Sequence, residues 1–178
     1  GIQGSGAEGR MAWVIESILR SQGYNTSPLY SDPDIASADI LEDVLERNGV
    51  TVLRNEWISL DMNGQRLILC GLDDIWAGKA DPPDLPDNGA YRIYLLHEPY
   101  YQEEWDADLI LSGHTHGGQI GNGIFMVLDI VGIVDIRGRS MKDDTIMYVT
   151  RGIGTLKGDN DYRLFSSPEI VFINAGEA

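Results

Sequence analysis

Basic residues are scarce in this 178-residue chain: 13 Lys and Arg stand against 28 Asp and Glu, a formal charge of −15. Binding a nucleic-acid backbone needs clustered Lys and Arg to neutralise phosphates, and no such cluster exists, so nucleic acid is excluded as a main partner. Cysteine is almost absent. The single Cys70 lies in an apolar run, which excludes a disulfide framework and Cys-based zinc modules. Long apolar stretches are missing as well: nothing reaches the roughly 18–20 residues of a membrane-spanning helix. The longest candidate, 124–136, is broken by Asp129, Gly132 and Asp135. No basic start followed by an apolar stretch marks a secretion leader. With 43% apolar residues there is enough material for a core. The expectation is one cytoplasmic domain over 1–178, with no transmembrane segment and peripheral membrane contact left open.

What is present falls into two regimes. Met11, Val14, Ile15, Ile18 and Leu19 recur at three- and four-residue steps, predicting a helix that stops at Gly23. Ser31-Asp32-Pro33-Asp34 supplies a capping side chain and a first-turn proline for a second helix, with the stripe Ala36, Ile40, Leu41, Val44 and Leu45 and a stop at Asn48-Gly49. After Gly49 the period changes to that of strands. Segments 51–54, 56–62 and 65–72 read as strands, the last two joined by the hairpin signal Asn63-Gly64. Further strands are expected at 92–96, 108–111, 145–150 and 169–174. The pattern is that of an α/β or α+β sandwich. Gly4-Ser5-Gly6-Ala7-Glu8-Gly9 matches the spacing of a phosphate cradle, but only three residues precede it and the required strand is missing. The apolar run 124–136 reads as a buried element, or as a patch for lipid or a partner.

All three histidines fall between positions 97 and 116. His97 ends the apolar run Ile93-Tyr94-Leu95-Leu96. His114 and His116 lie among glycines directly after Leu109-Ile110-Leu111. If those two strands are parallel neighbours, the histidines emerge at one sheet edge, where open α/β sheets hold their sites. Neutral imidazole is the commonest side-chain ligand of transition metals. Isolated histidines are more often surface or satisfied core residues; three converging ones point to a metal. Nearby Glu98 and Asp106 read as outer partners or solvated carboxylates, not ligands.

Leu96-His97-Glu98-Pro99 and Ser112-Gly113-His114-Thr115-His116-Gly117-Gly118-Gln119 resemble the last two motifs of the calcineurin-like metallophosphoesterases, most closely the bacterial branch acting on phosphodiester or lipid-linked pyrophosphate bonds. Four other stretches follow in the order of that branch. They are Val52-Leu53-Arg54-Asn55-Glu56, Gly71-Leu72-Asp73-Asp74-Ile75-Trp76, Arg151-Gly152-Ile153-Gly154-Thr155 and Arg163-Leu164-Phe165-Ser166-Ser167-Pro168-Glu169-Ile170. The resemblance covers residues 40–174, with 1–35 divergent. It implies an α/β/β/α sandwich and hydrolysis of phosphodiester or phosphomonoester bonds by a metal-bound hydroxide, with one or two divalent ions (Mn, Fe, Zn or Ni). By motif, His97 and His114 would bind one metal and His116 the other, making these three the catalytic and metal residues.

The family's Asp-x-His, early Gly-Asp and Gly-Asn-His-Asp motifs do not occur here. Asn25 stands where the last would fall, as a remnant metal ligand or an ordinary turn residue. The chain thus resembles the later part of the enzyme, truncated or rearranged at its N-terminal side. The alternative function is a non-catalytic metal-binding or interaction domain derived from that fold. The expected partners are a small phosphorylated substrate and a second copy of the chain, since a sandwich lacking strands exposes sheet edges.

Overall fold

The computed structural model describes residues 32–62, 64–118, 129, 135–153, 163 and 166–174. The chain divides into two units, Gly1–Val52 and Leu53–Ala178. In the first, helix α1 spans Asp32–Arg47, as the Pro33 start and Asn48-Gly49 stop predict. Gly49 takes φ +80°, and the Asn48 and Gly49 N–H groups cap the Leu45 and Glu46 carbonyls. The expected helix over 11–19, the Gly4–Gly9 cradle and most of 124–136 lie outside the described residues.

The second unit holds one six-stranded mixed sheet in the order β1-β2-β3-β4-β6-β5. Its strands are β1 (Glu56–Met62), β2 (Gln65–Gly71), β3 (Tyr91–Leu95), β4 (Leu109–Ser112), β5 (Gly138–Lys142) and β6 (Thr145–Val149). Strands β1 and β2 form the antiparallel hairpin predicted by Asn63-Gly64, with Met62 opposite Gln65. Strands β2, β3, β4 and β6 run parallel, and β5 returns antiparallel on β6. The architecture is therefore mixed α/β. Two expected strands are not formed: 51–54 and 169–174 are irregular. Strand β5 was not foreseen, because Gly138-Arg139-Ser140-Met141-Lys142 is polar and earns its place only by pairing with β6 at the sheet edge.

Register explains the core. Cys70, Tyr94, Ile110 and Met147 lie opposite one another across the four parallel strands and are fully or almost fully buried. They share one face, since partners in register point the same way. Trp105, from a 3-10 turn at Glu103–Trp105, stacks on Tyr94 with ring centroids 5.3 Å apart. The Tyr94 hydroxyl donates to the Trp105 carbonyl at 3.2 Å. Cys70 is free and buried, and burial pushes its thiol up to about 11, so it acts as a core residue rather than a nucleophile. Among the described residues no helix is long and apolar enough to cross a membrane.

Candidate metal centre

Because β2, β3, β4 and β6 are parallel, the segments that follow them all leave at one edge. Asp73-Asp74-Ile75-Trp76 follows β2, His97-Glu98 follows β3, Gly113–Gly118 follows β4 and Arg151 follows β6. Backbone bonds carry the sheet ladder past the strand ends: Leu72 N–H to the Leu95 carbonyl at 3.0 Å, Gly113 N–H to His97 at 3.0 Å, Thr150 N–H to Ser112 at 2.8 Å. The roots of the site are thereby fixed by the sheet.

The β2 exit is tied down by Asn55, whose Oδ1 accepts the N–H of both Asp73 and Asp81 at 3.0 Å, while its Nδ2 donates to the Lys79 carbonyl at 2.9 Å. Asn55 adopts φ +58° to do so. Arg54 adds an ion pair to Asp73 at 2.8 Å. The β4 exit is a tight turn in which His114 (φ +64°), His116 (+49°), Gly117 (+64°) and Gly118 (+79°) are all left-handed. Non-glycine residues there carry strain of roughly 1–3 kcal/mol each. The glycines suggested an unusual backbone; two histidines adopt it as well. Thr115 anchors the turn by donating from Oγ1 to the Ile136 carbonyl at 2.6 Å.

His97 and His114 meet, their ring centroids 4.9 Å apart and nearly perpendicular. Trp76 sets its ring edge-on to His114 at 4.3 Å. One ligand atom each from His97, Glu98 and His114 lies within 4.8 Å of the others, a donor set of two imidazoles and a carboxylate that fits a divalent ion. His116 is not part of that group. Its Nδ1 is 3.3 Å from Arg163 Nη2, Arg163 also donates to the Arg151 carbonyl at 3.0 Å, and Ser166 Oγ donates to the His116 carbonyl. His116 is still near enough to act electrostatically on the other two rings. Asn25 lies outside the described residues. Asp106 is elsewhere, paired with Arg92.

Desolvation pulls His114 down to about 4, with His97 and His116 adding to the shift and Asp74 opposing it. His97 keeps an exposed edge, yet partial burial lowers it too, again against the pull of Asp74. Both rings are thus neutral near pH 7 and offer lone pairs. Glu98 is the surprise. It is 1% exposed; burial and then the Asp74 charge raise its carboxyl, against the pull of the Ile75 N–H that Oε2 accepts at 3.2 Å. Read from sequence as an outer or solvated group, it sits inside the cluster. Its only sequence signal is adjacency to His97 ahead of Pro99. Asn55, Trp76 and Arg163 lie in stretches that the sequence matched to the family, but they were given no role of their own, because those roles depend on contacts across 18 to 47 residues of chain.

No family model matches the chain, and no solved structure matches it significantly. Curated relatives do. The chain is 31% identical to Phosphodiesterase YaeI of Escherichia coli over 75% of its own length and 50% of that protein's. It is 29% identical to metallophosphoesterase YkuE of Bacillus subtilis, over 74% and 48%. It is also 29% identical to UDP-2,3-diacylglucosamine pyrophosphatase LpxG of Chlamydia muridarum, over 71% and 42%. The chain thus spans about half the length of the relatives it matches, or somewhat less. The matched three quarters carry a metallophosphoesterase-like sequence, in keeping with the calcineurin-like resemblance of the histidine motifs.

Proposed function

We propose that this chain carries the histidine-bearing half of a metal-dependent phosphoesterase centre, hydrolysing phosphodiester or phosphomonoester bonds. The observation that carries the reading is the convergence of the His97, Glu98 and His114 ligand atoms within 4.8 Å at the carboxyl edge of the parallel strands. His97 and His114 would hold a divalent ion. The chemistry such an ion supplies is Lewis-acid activation of water and neutralisation of phosphate oxygens.

The chain's own residues do the rest. The sheet ends fix the two imidazoles, and Trp76 limits rotation of the His114 ring. While the Arg151 guanidinium is paired with Glu169, Arg163, with Nη2 3.3 Å from His116 Nδ1, brings positive charge beside His116 in a chain that is otherwise strongly acidic. That placement suits a phosphate oxygen, which an arginine binds well through its planar fork of donors. The same reading takes the six-stranded sheet as one layer of a calcineurin-like α/β/β/α sandwich; the parallel β2-β3-β4-β6 core and the relatives' names support it. Metal identity stays among Mn, Fe, Zn and Ni, all of which accept imidazole and carboxylate.

The test is metal content of the purified protein beside hydrolysis of bis(p-nitrophenyl) phosphate, with and without added manganese. Bound metal, manganese-stimulated turnover and loss of both in His114→Ala are expected. Bound metal without turnover would instead favour a non-catalytic metal-binding domain, and no bound metal would overturn both.

A further inference from the structure

We infer that Asn55 is a positioning residue of the metal centre: its side chain closes the loop 73–81, and the closed loop holds Trp76 against the His114 ring. The inference rests on the metal-centre reading above and adds to it a residue that acts only through other side chains.

One atom makes the closure. Asn55 Oδ1 accepts the N–H of Asp73, 18 residues on, and that of Asp81, 26 residues on, both at 3.0 Å. Both ends of the loop are therefore pinned to the same oxygen, whose two lone pairs allow it. The amide nitrogen of the same side chain donates to the Lys79 carbonyl at 2.9 Å. Asn55 reaches this geometry from φ +58°, a left-handed backbone that Asn and Asp tolerate better than other non-glycine residues. Inside the loop the bonds are local. Asp74 Oδ1 accepts the Ala77 N–H at 2.6 Å, and the Asp74 carbonyl accepts the N–H groups of Lys79 and Ala80 at 2.9 and 3.2 Å. Those bonds shape the loop without tying it to another segment. Arg54 pairs with Asp73 and so steadies one end; Asn55 joins both.

Three consecutive residues carry the effect from the loop to the centre. The Asp74 charge acts on His97 and His114. The Ile75 N–H donates to Glu98 Oε2 at 3.2 Å. The Trp76 ring meets His114 with centroids 4.3 Å apart. His114 stands on a left-handed turn at φ +64°, and its ring direction depends on the rings packed against it, those of Trp76 and His97. A metal ligand binds well only when its surroundings hold it in one orientation. Releasing the loop ends would free Trp76 and with it the His114 ring.

The experiment compares Asn55→Gly, Asn55→Asp and Ile68→Val with wild type. Glycine keeps the left-handed backbone and removes the amide, whereas aspartate keeps an accepting oxygen. Ile68→Val trims a fully buried residue of β2 and reports what a general loss of stability does, as followed by urea unfolding. Two readouts are taken: nuclear Overhauser contacts between the Trp76 and His114 ring protons in the metal-free protein, and the affinity and visible spectrum of added cobalt(II). Asn55→Gly is expected to lose the ring contacts, change the cobalt spectrum and weaken cobalt about tenfold, the scale for losing an outer support of a ligand. Asn55→Asp and Ile68→Val should keep the contacts and stay within about threefold of wild-type affinity, well short of that loss. Trp76→Ala should weaken cobalt about as much as Asn55→Gly, and combining the two should add little, because both remove one support. Intact ring contacts with unchanged cobalt affinity in Asn55→Gly, an equal loss in Ile68→Val, or full additivity with Trp76→Ala overturns the inference; if His114→Ala still abolishes cobalt binding, the metal centre stands. Cobalt binding unchanged in both His97→Ala and His114→Ala overturns the metal-centre reading and the inference with it.

Discussion

Gly117, next to His116 and packed against Arg151 and Ser166, gives a measurable test of how the site is held. An ideal Cβ built there would lie 2.4 Å from Arg151 Cγ, 2.5 Å from Ser166 Oγ and 2.9 Å from Arg151 Cδ, and its φ is +64°. Two costs follow for Gly117→Ala. The left-handed backbone costs an L-residue roughly 1–2 kcal/mol. Forcing a methyl into closed space costs roughly 1–3 kcal/mol. Against them stands a gain of roughly 0.4–1 kcal/mol from a stiffer unfolded chain. The net expectation is a loss of about 2–4 kcal/mol. Two neighbours separate the terms. Gly152 has φ +62° and nothing within 4 Å, so Gly152→Ala carries the backbone cost alone, about 1 kcal/mol. At Gly113 the Cβ would meet only Thr150 Cγ2 at 3.8 Å, an ordinary contact, and Gly113→Ala should be neutral or slightly stabilising. Urea unfolding of the three variants, compared at constant m-value, measures the ladder. If Gly117→Ala lies within about 1 kcal/mol of Gly152→Ala, the close approach of Arg151 and Ser166 to the histidine turn is wrong.

The metal-free protein should be acid-sensitive through His114. Its folded pKa of about 4 lies below the ordinary 6.5, so the unfolded chain takes up the proton first. Stability is then full above pH 6.5 and lost as pH falls toward 4, by up to about 3 kcal/mol. Urea midpoints at pH 7 and 4.5 should differ less in His114→Gln than in wild type, and equal differences would refute the assignment. In the core, Ile110→Ala on β4, fully buried, should cost about 2–5 kcal/mol by equilibrium denaturation. Half-buried Ile146→Ala should cost clearly less.

Much of the fold was legible where local chemistry decides it. Pro33 and Asn48-Gly49 marked the ends of α1, and Asn63-Gly64 marked a hairpin that forms with Met62 opposite Gln65. The apolar runs of β3 and β4 read as buried strands because they are. Strand β5 was invisible, since a polar edge strand takes its conformation from its partner's hydrogen bonds rather than its own periodicity. The apolar stretch 169–174 failed the other way. Hydrophobicity suggested a strand, but the Glu169 side chain binds Arg151 and Tyr148 instead and the segment stays irregular.

The site divides along the same line. The sequence by itself determined the chemistry on offer: three histidines, two of them framed by glycines, each following an apolar run in a chain with little positive charge. Residue type and local spacing are one-dimensional properties. Only the tertiary structure decided which of these groups meet. Parallel pairing of β3 and β4 brings His97 to His114, burial draws Glu98 into their cluster, and Arg163, 47 residues along the chain, takes hold of His116. Those contacts depend on strand order and enclosure, which arise when distant segments fold together; residue type and local spacing left the meeting of His97 and His114 conditional on parallel pairing of their strands.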